Sequence, residues 1–388
     1  MATQATLDFI LQHGNDDVRQ LALQGEKYSE VDMRYALEQI AGRQKARVKL
    51  PSWAAIDGIL YPPHLSMEQC SSEATASYKA KIAGGGDLFV DLTAGFGVDA
   101  AFISKGFKRA VTIEQQEHLC AISSANYSRL GLHHIDVVCG NGVDYLHTME
   151  HADLLFIDPA RRDEHGARTY GVADCTPNVL ELINEMVEKA DRVMIKLSPM
   201  LDWRKAVADI GRVCEVHIVS VDNECKELLL VVSKQEQPLK LYCVNNDSVF
   251  DCAADESENC PIASLESLPT WLYEPNASMM KAGCFAALAE RFHLSALDRN
   301  SHLFVSDVEV PDFPGRQFLI ERVTSMNKRE LKAALAGIQK ANITIRNFPM
   351  SVAELRKRLK LQEGGDTYIF ATTVADKGHQ LFVCRKKS

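Results

Sequence analysis

Apolar runs and stretches with helical spacing alternate along residues 87–232. The apolar runs are short and rich in β-branched residues: LFVDL, AVTIE, IDVVC, LLFID and RVMIKL. Stretches such as VDAAFISKGF and TPNVLELINEMVEKA, which have the spacing of amphipathic helices, separate them. This alternation predicts a parallel sheet that is covered by helices on both faces.

The last two apolar runs of this region, CEVHIVSVD and ELLLVVSK, are joined by too few residues for a helical crossover. Strands that are connected so closely pair antiparallel. We therefore expect an α/β fold with a doubly wound, Rossmann-like sheet of seven strands, the last of which is antiparallel.

The regions on either side of this sheet have other patterns. Residues 1–82 predict helices, one ending before Pro51 and another running from about Ser66 through MEQCSSEATASYKAKI. Residues 234–268 are polar and acidic with little periodicity, although PLKLYCV fits a strand, and this indicates a linker. The remaining chain mixes helix-like and strand-like segments. The predicted domains are an N-terminal helical region at 1–82, the sheet domain at 83–233, a linker at 234–268 and two α+β modules at 269–340 and 341–388.

The composition indicates a cytoplasmic protein without a membrane or metal partner. Eleven cysteines lie among the 388 residues without a C-x-x-C pair or a Cys/His cluster at zinc spacing, which indicates reduced thiols. The first residues, MATQATLDFILQHGNDD, have no basic residue before their apolar patch and no cleavage pattern of a secretory signal. No apolar run approaches the roughly 20 residues that a bilayer requires.

The charge is distributed unevenly along the chain. The net charge of −9 argues against a dedicated nucleic-acid binder, and residues 247–260 carry five acids and no base. Residues 316–360, in contrast, carry eleven Lys/Arg and three Glu. Such a basic segment either forms a face that binds phosphates or is an ordinary solvated helix surface.

The first strand of the predicted sheet runs into DLTAGFGVDA at residues 91–100. A strand, two closely spaced glycines and a helix bring backbone N–H groups close to a nucleotide-like ligand. The sequence Gly95-x-Gly97-x-x-Ala100 also satisfies the NAD-binding pattern, so the glycines alone leave the cofactor open.

Polar residues at four successive strand ends narrow the choice of cofactor. Asp91 ends the first strand, where a carboxylate suits a ligand that carries a positive charge better than it suits a pyrophosphate. Glu114 ends the second strand, where it can accept hydrogen bonds from both ribose hydroxyls, and Asn141 follows the third. Asp158-Pro159 ends the fourth strand, and all four positions face the crevice at the carboxyl edge of the sheet.

This arrangement resembles the class I S-adenosylmethionine-dependent methyltransferases over residues 66–232, including the final antiparallel hairpin. The resemblance implies that Asp91, Gly95 and Gly97 line the methionine and sulfonium end of the cofactor. It further implies that Glu114 holds the ribose and Asn141 the adenine.

Two further groups have both a functional and a structural interpretation. Asp99 either belongs to the cofactor site or is only a partner of the helix dipole in the first turn of its helix. Ser71, Ser72 and Glu73 either close over the methionine, as this segment often does in such enzymes, or form ordinary polar surface.

The end of the fourth strand is similar to the Asp/Asn-Pro-Pro-aromatic motif of methyltransferases that act on exocyclic amino groups. In that motif the acid and a backbone carbonyl accept the amino hydrogens, and the aromatic ring stacks on the base. Here Asp158 and Pro159 match, whereas the second proline and the aromatic residue are absent. The resemblance therefore implies that Asp158 and Pro159 lie at the methyl acceptor.

Arginines follow the Asp-Pro pair. Arg161 and Arg162 come next, and Arg168 and Tyr170 lie in the same loop, RRDEHGARTY. A guanidinium at this position could bind a phosphate or carboxylate of the substrate, or stack on a flat group. Salt bridges to the two acids that follow the arginine pair are the alternative.

The C-terminal part is similar to the ferredoxin-like and THUMP-like domains of a family of bacterial methyltransferases. The segments that carry the similarity are YEPNASMMKAGCFAALAERF, DVEVPDFPGRQF and IRNFPMSVAELRKRLKL, and DPARR and EQCSSEATASYKA fit the same family. THUMP domains deliver RNA, especially transfer RNA, to an attached modifying domain, so the resemblance implies an RNA partner. Its candidate phosphate contacts are Arg356 and Lys357, together with Arg346, Arg358 and Lys360.

We therefore expect an S-adenosylmethionine-dependent methyltransferase that modifies a base of transfer or ribosomal RNA. One alternative is a methyltransferase for a small molecule or a protein. Another is an RNA-binding protein with a vestigial methyltransferase fold. A NAD-dependent dehydrogenase ranks last, because it has no use for Asp158-Pro159 at the fourth strand.

Overall fold

The computed structural model describes residues 3–161, 171–235, 237–254 and 260–387. The chain forms two compact units, which we call unit 1 and unit 2. Unit 1 comprises Met1–Val216 and Lys226–Gln237, and unit 2 comprises His217–Cys225 and Pro238–Ser388.

Unit 1 begins with six helices over the stretch where the sequence predicts helices. The longest begins after Asp32, whose side chain accepts a hydrogen bond from the backbone N–H of Tyr35, as a good N-cap does. Pro51 starts the next helix at its first position, where a missing N–H costs nothing. The six helices are α1 Gln4–His13, α2 Val18–Leu23, α3 Met33–Lys49, α4 Pro51–Ala54, α5 His64–Gln69 and α6 Glu73–Ala83.

The helix predicted from about Ser66 is interrupted, and this corrects the sequence interpretation. Residues 70–72 separate α5 from α6. Ser72 is the N-cap of α6, and its Oγ accepts a hydrogen bond from the backbone N–H of Thr75 at 3.3 Å. Serine favours this position because its side chain competes for backbone N–H groups. The interruption leaves Ser71 outside both helices and buried.

Seven neighbouring strands of the main sheet follow the order β6-β7-β5-β4-β1-β2-β3. Strand β7 is antiparallel to β5, and the pairs from β5 to β3 are parallel. The predicted doubly wound sheet with an antiparallel last strand is therefore confirmed. The strands are β1 Gly86–Asp91, β2 Phe107–Glu114, β3 Ile135–Cys139, β4 Ala152–Ile157, β5 Ala190–Leu197, β6 Val213–Val221 and β7 Glu224–Ser233. The helices that accompany them are α7 Val98–Ile103, α8 Glu117–Arg129, α9 Gly142–Thr148, α10 Val179–Lys189 and α11 Trp203–Ile210.

The core of unit 1 surrounds the central strands of this sheet. Phe89, Phe156 and Met194 are almost completely buried in one apolar cluster. Because the central strands are parallel, their carboxyl ends reach the same edge of the sheet. Ile157 of β4 pairs with Ile195 of β5, so the residues that follow them lie side by side at that edge.

The predicted linker at 234–268 contains a β-hairpin, and its first strand confirms the expectation that PLKLYCV fits a strand. Strands β8 Lys240–Asn245 and β9 Ser248–Ala253 pair antiparallel in unit 2. Leu241, Cys243 and Phe250 are buried at alternate positions, between polar residues that masked the pattern in the sequence. The folded part of this stretch is therefore longer than its acidic composition suggested.

A second sheet of seven strands, in the order β11-β12-β10-β13-β16-β15-β14, forms most of unit 2. Strands β14 and β15 are parallel, and the other pairs are antiparallel. The sheet runs across the predicted boundary at 340/341. Its strands are β10 Trp271–Pro275, β11 Ser295–Ala296, β12 Phe304–Ser306, β13 Gly315–Ser325, β14 Asn342–Arg346, β15 Thr367–Val374 and β16 Gly378–Lys386. Its helices are α12 Ala277–Ala282, α13 Phe285–Phe292, α14 Lys328–Ala334 and α15 Val352–Leu359. Within the described ranges, no helix has the length and apolar character that crossing a bilayer requires.

Candidate active site

A cavity of about 790 Å³ opens at the carboxyl edge of the unit 1 sheet. It is lined by residues that follow β1, β2, β4 and β5, and by residues near the start of α6 and α7. Its wall therefore combines most of the strand ends that the sequence singled out. The predicted site residues that line it are Asp91, Gly95, Gly97, Asp99, Glu114, Asp158 and Pro159.

Gly95 and Gly97, which follow β1, are required to be glycine for different structural reasons. Both have a positive φ, 56° at Gly95 and 84° at Gly97, which disfavours a side chain. A Cβ atom on Gly97 would lie 2.2 Å from the hydroxyl oxygen of Tyr127, so this glycine is also required for packing. A Cβ atom on Gly95 would meet nothing within 4 Å, so the backbone there borders open space in the cavity wall.

Glu114, at the end of β2, is held in one orientation by two backbone donors. Its Oε2 accepts a hydrogen bond from the N–H of Gly95 at 2.9 Å, and its Oε1 accepts one from the N–H of Gln116 at 2.8 Å. An ionised carboxylate has about four acceptor positions, so two backbone bonds leave capacity for a diol. The geometry of this site suits a ribose whose hydroxyls enter the cavity.

Asn141 has a structural role that the sequence interpretation missed. Its side chain is exposed and caps α9, with Oδ1 accepting a hydrogen bond from the N–H of Val143 at 2.8 Å. Asn141 is not among the described residues that line the cavity, whereas the adjacent Gly142 is. A Cβ atom on Gly142 would lie 2.1 Å from the carbonyl oxygen of Leu92, so the chain approaches closely here. The predicted adenine contact of the Asn141 side chain stays a prediction.

Asp91, at the end of β1, is buried in the floor of the cavity. Its Oδ1 accepts a hydrogen bond from the N–H of Thr93 at 2.9 Å. Burial raises the pKa of Asp91 well above its usual range, and the nearby carboxylates of Asp99 and Asp158 raise it further. A cationic ligand would relieve both effects, because it would stabilise the charged form of Asp91.

A network of buried charges, which the sequence did not reveal, adjoins Asp91. Lys79 of α6 is completely buried and donates to both carboxylate oxygens of Glu227 at 2.8 and 2.6 Å, and to Ser71 Oγ at 2.9 Å. Its Nζ also lies 3.0 Å from Oδ1 of Asp99, whose Oδ2 accepts from Ser71 Oγ at 2.8 Å. Burial opposes charge on Asp99, but Lys79 and Lys196 hold its pKa below the ordinary value. Asp99 is therefore more than a helix-dipole partner.

Asp158 and Lys196 form an ion pair at the cavity wall. Nζ of Lys196, in β5, lies 2.5 Å from Oδ2 of Asp158 and 3.6 Å from Oδ2 of Asp99. The backbone N–H of Asp158 donates to Thr93 Oγ1 at 2.6 Å, and the buried Pro159 follows. Asp158 is thus fixed through its backbone and its side chain while its carboxylate remains partly exposed.

Three charged residues of this site could have been found from one feature of the sequence. Lys196 interrupts the apolar run RVMIKL, Lys79 lies within a helix of small residues, and Glu227 precedes LLLVV. A charge at a position that the pattern predicts to be buried requires a partner. The pattern alone does not say which residue is that partner.

The loop arginines are described only in part. Arg162, Arg168 and Tyr170 lie outside the described residues. The backbone of Ala160–Arg161 pairs antiparallel with Cys175–Thr176, but the side chain of Arg161 lies outside the described part of the structure. The predicted substrate contacts of Arg161 and Arg162 therefore stay predictions.

The remaining candidates divide into structural and exposed side chains. Oε2 of Glu73 accepts hydrogen bonds from the N–H and the Oγ of Ser52, so this carboxylate ties α6 to α4. In unit 2, Arg356 donates to the carbonyl oxygen of Ala341 at 2.9 Å, so its head group supports the fold. Arg346 is likewise paired with a buried acid, Glu274, at 3.0 Å. The exposed basic side chains of α15 and of the residue that follows it are Lys357, Arg358 and Lys360.

Asp91→Asn is expected to raise the melting temperature of the ligand-free protein at neutral pH. The pKa of Asp91 is higher in the folded protein than its value of about 3.9 in the unfolded chain. The protonated carboxyl therefore stabilises the fold fully below about pH 3.9, and this stabilisation is lost as the pH rises through the pKa of the folded state. Asparagine removes that loss and keeps an acceptor for the N–H of Thr93. Each pKa unit of such a shift is worth about 1.4 kcal/mol.

Thermal melts between about pH 4 and 8 would check this expectation. The stabilisation of Asp91→Asn should grow with pH, whereas Asp136→Asn on the exposed side of β3 should change little at any pH. If the wild type is more stable than Asp91→Asn at neutral pH, the buried charge of Asp91 does not destabilise the ligand-free protein, and this interpretation is wrong.

A solved structure matches nearly the whole chain. A crystallised protein from Porphyromonas gingivalis W83, described as a "putative methyltransferase", is 30% identical, with 99% of this chain and 98% of that chain covered and a TM-score of 0.88. A family model described as a ferredoxin-like domain matches residues 271–314, and one described as THUMP domain-like matches residues 315–386. The comparison with curated proteins gave no match.

Other solved structures match only part of the chain. An rRNA methylase from Streptococcus thermophilus is 19% identical, with 42% of this chain and 95% of that chain covered and a TM-score of 0.31. TrmK of M. capricolum, solved with S-adenosyl-homocysteine, is 13% identical, with 42% of this chain and 68% of that chain covered and a TM-score of 0.32.

Proposed function

Since the chain belongs to the class I methyltransferase family with C-terminal ferredoxin-like and THUMP-like domains, we propose that it uses S-adenosylmethionine to methylate RNA. The observation that carries this proposal is the cavity of about 790 Å³, which gathers Asp91, the glycine loop and Glu114 beside Asp158. A vestigial fold would have no need for two glycines at positive φ, a buried carboxylate and an ion pair around one cavity.

The cavity wall fits the proposed cofactor in three respects. Glu114 presents a fixed carboxylate to a ribose, and the space beside Gly95 lets a ligand approach the backbone. Asp91 is a buried acid whose charged form a sulfonium or ammonium group would stabilise. The bound cofactor would supply an activated methyl group.

The protein's own residues would hold and orient the methyl acceptor. Methyl transfer is an in-line displacement, so the rate depends on directing a lone pair of the acceptor along the axis of the breaking bond. Asp158 is fixed at the cavity wall by Thr93 and Lys196, and its carboxylate can accept a hydrogen bond from an acceptor N–H. A fixed acceptor of this kind orients a nucleophile without having to activate it.

The proposal of RNA as the substrate is supported by the C-terminal part of the chain. The THUMP-like match covers residues 315–386, and α15 with the residue after it presents three exposed cations. Lys357, Arg358 and Lys360 lie within four positions of each other, close enough to contact adjacent phosphates of one strand. This surface would supply affinity, and the cavity would supply the chemistry.

Reversing Lys357, Arg358 and Lys360 together to Glu should weaken RNA binding and flatten its salt dependence. Each lost phosphate contact lowers the slope of log K against log salt by about 0.7–0.9. Arg356 is left in place because its bond to Ala341 serves the fold. Filter binding or fluorescence anisotropy across a salt series measures both quantities.

A matched control reverses three exposed cations of the N-terminal helical region, Arg19, Lys27 and Arg34. This control should retain the salt slope of the wild type. If the α15 variant and the control bind RNA equally well, the surface on α15 is not the RNA contact.

Transfer of a tritium-labelled methyl group from S-adenosylmethionine tests the proposed function in vitro. The acceptor is RNA from cells that lack the gene, and the parallel reactions contain cell protein or small-molecule extract from the same cells. Label that enters the RNA and requires the enzyme is the expected result. Label confined to the protein or small-molecule fraction would replace RNA with another substrate class.

A further inference from the structure

The ion pair between Lys196 and Asp158 occupies the part of the cavity wall where the acceptor would lie. Both residues line the cavity, and their strands are neighbours in the sheet. The side chain of Asp158 is 37% exposed and that of Lys196 is 12% exposed, so both reach the cavity. A ligand at this position would meet a cation and a carboxylate together.

The charges around this pair disfavour an anionic ligand. Burial opposes charge on Lys196, but Asp158 and Asp99 raise its pKa, so it remains a cation. Three acids belong to the surrounding network and two lysines balance them: Asp99, Asp158 and Glu227, with Lys79 and Lys196. Because acids outnumber bases, a phosphate or carboxylate would gain little from Lys196. A neutral acceptor group fits this wall better.

The pair has one donor and one acceptor to offer such a group. An ammonium has three N–H donors, and among the described residues the two ion-pair partners of Lys196 are Asp158 and Asp99. Lys196 occupies Oδ2 of Asp158, which leaves Oδ1 as the acceptor within the described part of the chain. A ligand that matches this wall has an N–H group next to a neutral atom with a lone pair.

We propose that Lys196 contacts the methyl acceptor, and that Lys196 and Asp158 together select an exocyclic amino group beside an unprotonated ring nitrogen. Adenine, cytosine and guanine carry this arrangement, whereas uracil and the ribose hydroxyls do not. The amino group donates to Asp158 Oδ1, and the ring nitrogen accepts from Lys196 Nζ. This inference rests on the proposed function and names its substrate class.

The transfer step balances with these residues alone. A bond forms between the amino nitrogen and the methyl carbon, the carbon–sulfur bond breaks, and its electron pair stays on sulfur. The nitrogen then loses one proton, which Asp158 Oδ1 is placed to accept and pass to water. Lys196 is already a cation and takes no proton, so its part is to hold the base in line.

Identification of the labelled nucleoside tests the substrate class. RNA from cells lacking the gene is methylated with the wild-type enzyme and digested to nucleosides, and the labelled one is identified by mass spectrometry. We expect a methylamino derivative of adenosine, cytidine or guanosine. Label on a ribose oxygen, on a ring carbon or ring nitrogen, or on uridine would overturn this inference and leave the proposed function intact. An enzyme that binds S-adenosylmethionine but transfers no label to RNA would instead refute the proposed function.

Variants of Lys196 test its contact with the acceptor. Lys196→Met should lower kcat by about ten- to hundredfold, because the base loses one of its two fixed points. Lys196→Arg keeps a donor and a positive charge and should recover part of that loss. Affinity for S-adenosyl-homocysteine should change less than about threefold in both, because the contact is to the acceptor and not to the cofactor.

Lys205→Met is the matched control, since Lys205 forms an exposed ion pair with Asp209 in the same unit. It should retain the activity of the wild type. If Lys196→Met is as active as this control, Lys196 does not contact the acceptor. If Lys196→Met loses S-adenosyl-homocysteine binding and Lys196→Arg recovers no activity, Lys196 supports the cofactor pocket and the inference fails.

Discussion

Asp158→Ala should lose about two orders of magnitude in turnover while its affinity for S-adenosylmethionine stays close to that of the wild type. Asp158 lies after β4, on the side of the cavity where β5 presents Lys196, whereas the proposed cofactor contacts lie at the ends of β1 and β2. Loss of its carboxylate would remove the group that orients the acceptor, and a misplacement of about an ångström can cost roughly a hundredfold in rate. Single-turnover methylation and isothermal titration with S-adenosyl-homocysteine would separate the two effects.

Asp158→Asn separates the effect of the acceptor oxygen from the effect of the negative charge. It keeps an oxygen for the acceptor N–H but loses the charge that balances Lys196, so an intermediate rate is expected. An Asp158→Ala protein that methylates at the wild-type rate would refute the role of Asp158 at the acceptor. One that no longer binds the cofactor would place Asp158 in the cofactor pocket.

Glu114→Ala should weaken S-adenosylmethionine binding by about ten- to hundredfold. A hydrogen bond to a charged group is worth roughly 1.5–3 kcal/mol, which corresponds to that range of affinity. Two effects contribute, because Glu114 would bind the ribose and also holds the N–H groups of Gly95 and Gln116 in place. Isothermal titration with S-adenosylmethionine and with S-adenosyl-homocysteine measures the loss directly.

Glu117→Ala provides the control for this measurement. Glu117 lies in the first turn of the adjacent α8 and is not among the described residues that line the cavity, so its loss should leave the affinity unchanged. Equal affinities in Glu114→Ala and the wild type would remove the ribose assignment. Tight binding of NAD with no binding of S-adenosylmethionine would overturn the choice of cofactor.

The unit 1 sheet was predictable from the sequence because its strands are buried on both faces. Runs such as LLFID and RVMIKL are almost continuously apolar, and helical spacing between them allows little besides a parallel sheet. The antiparallel direction of the last strand was predicted from the short connection before it. In the structure this connection is Asp222 and Asn223, both of which have a positive φ. The hydrophobic pattern and the sheet topology therefore agree in this domain.

The sequence predicted only those site residues whose proximity is fixed by the position of the backbone. Asp91, Glu114 and Asp158 follow strands whose ends meet at one edge, so their proximity follows from the topology alone. The charged residues of the adjoining network come from distant segments, Lys79 from α6 and Glu227 from β7, and no local pattern joins residues that far apart. Charged residues within apolar runs showed that partners exist, without identifying them.

Side-chain hydrogen bonds with nearby backbone explain the remaining differences. Asn141 and Ser72 were candidates for ligand contact, but each side chain caps a helix, because Asn and Ser satisfy free N–H groups there at little cost. Arg356 was a candidate phosphate contact, and its guanidinium donates to the carbonyl oxygen of Ala341, which lies 15 residues earlier in the chain. The predicted ligand contacts of these three side chains stay predictions.

Nucleoside mass spectrometry of RNA from cells with and without the gene tests the central claim most directly. One methylated nucleoside should be missing from the transfer or ribosomal RNA of cells that lack the gene. It should return when the wild-type protein is expressed and stay missing when Asp158→Ala is expressed at the same level. Identical sets of methylated nucleosides in RNA from both kinds of cell would contradict the assignment of this chain as an RNA methyltransferase.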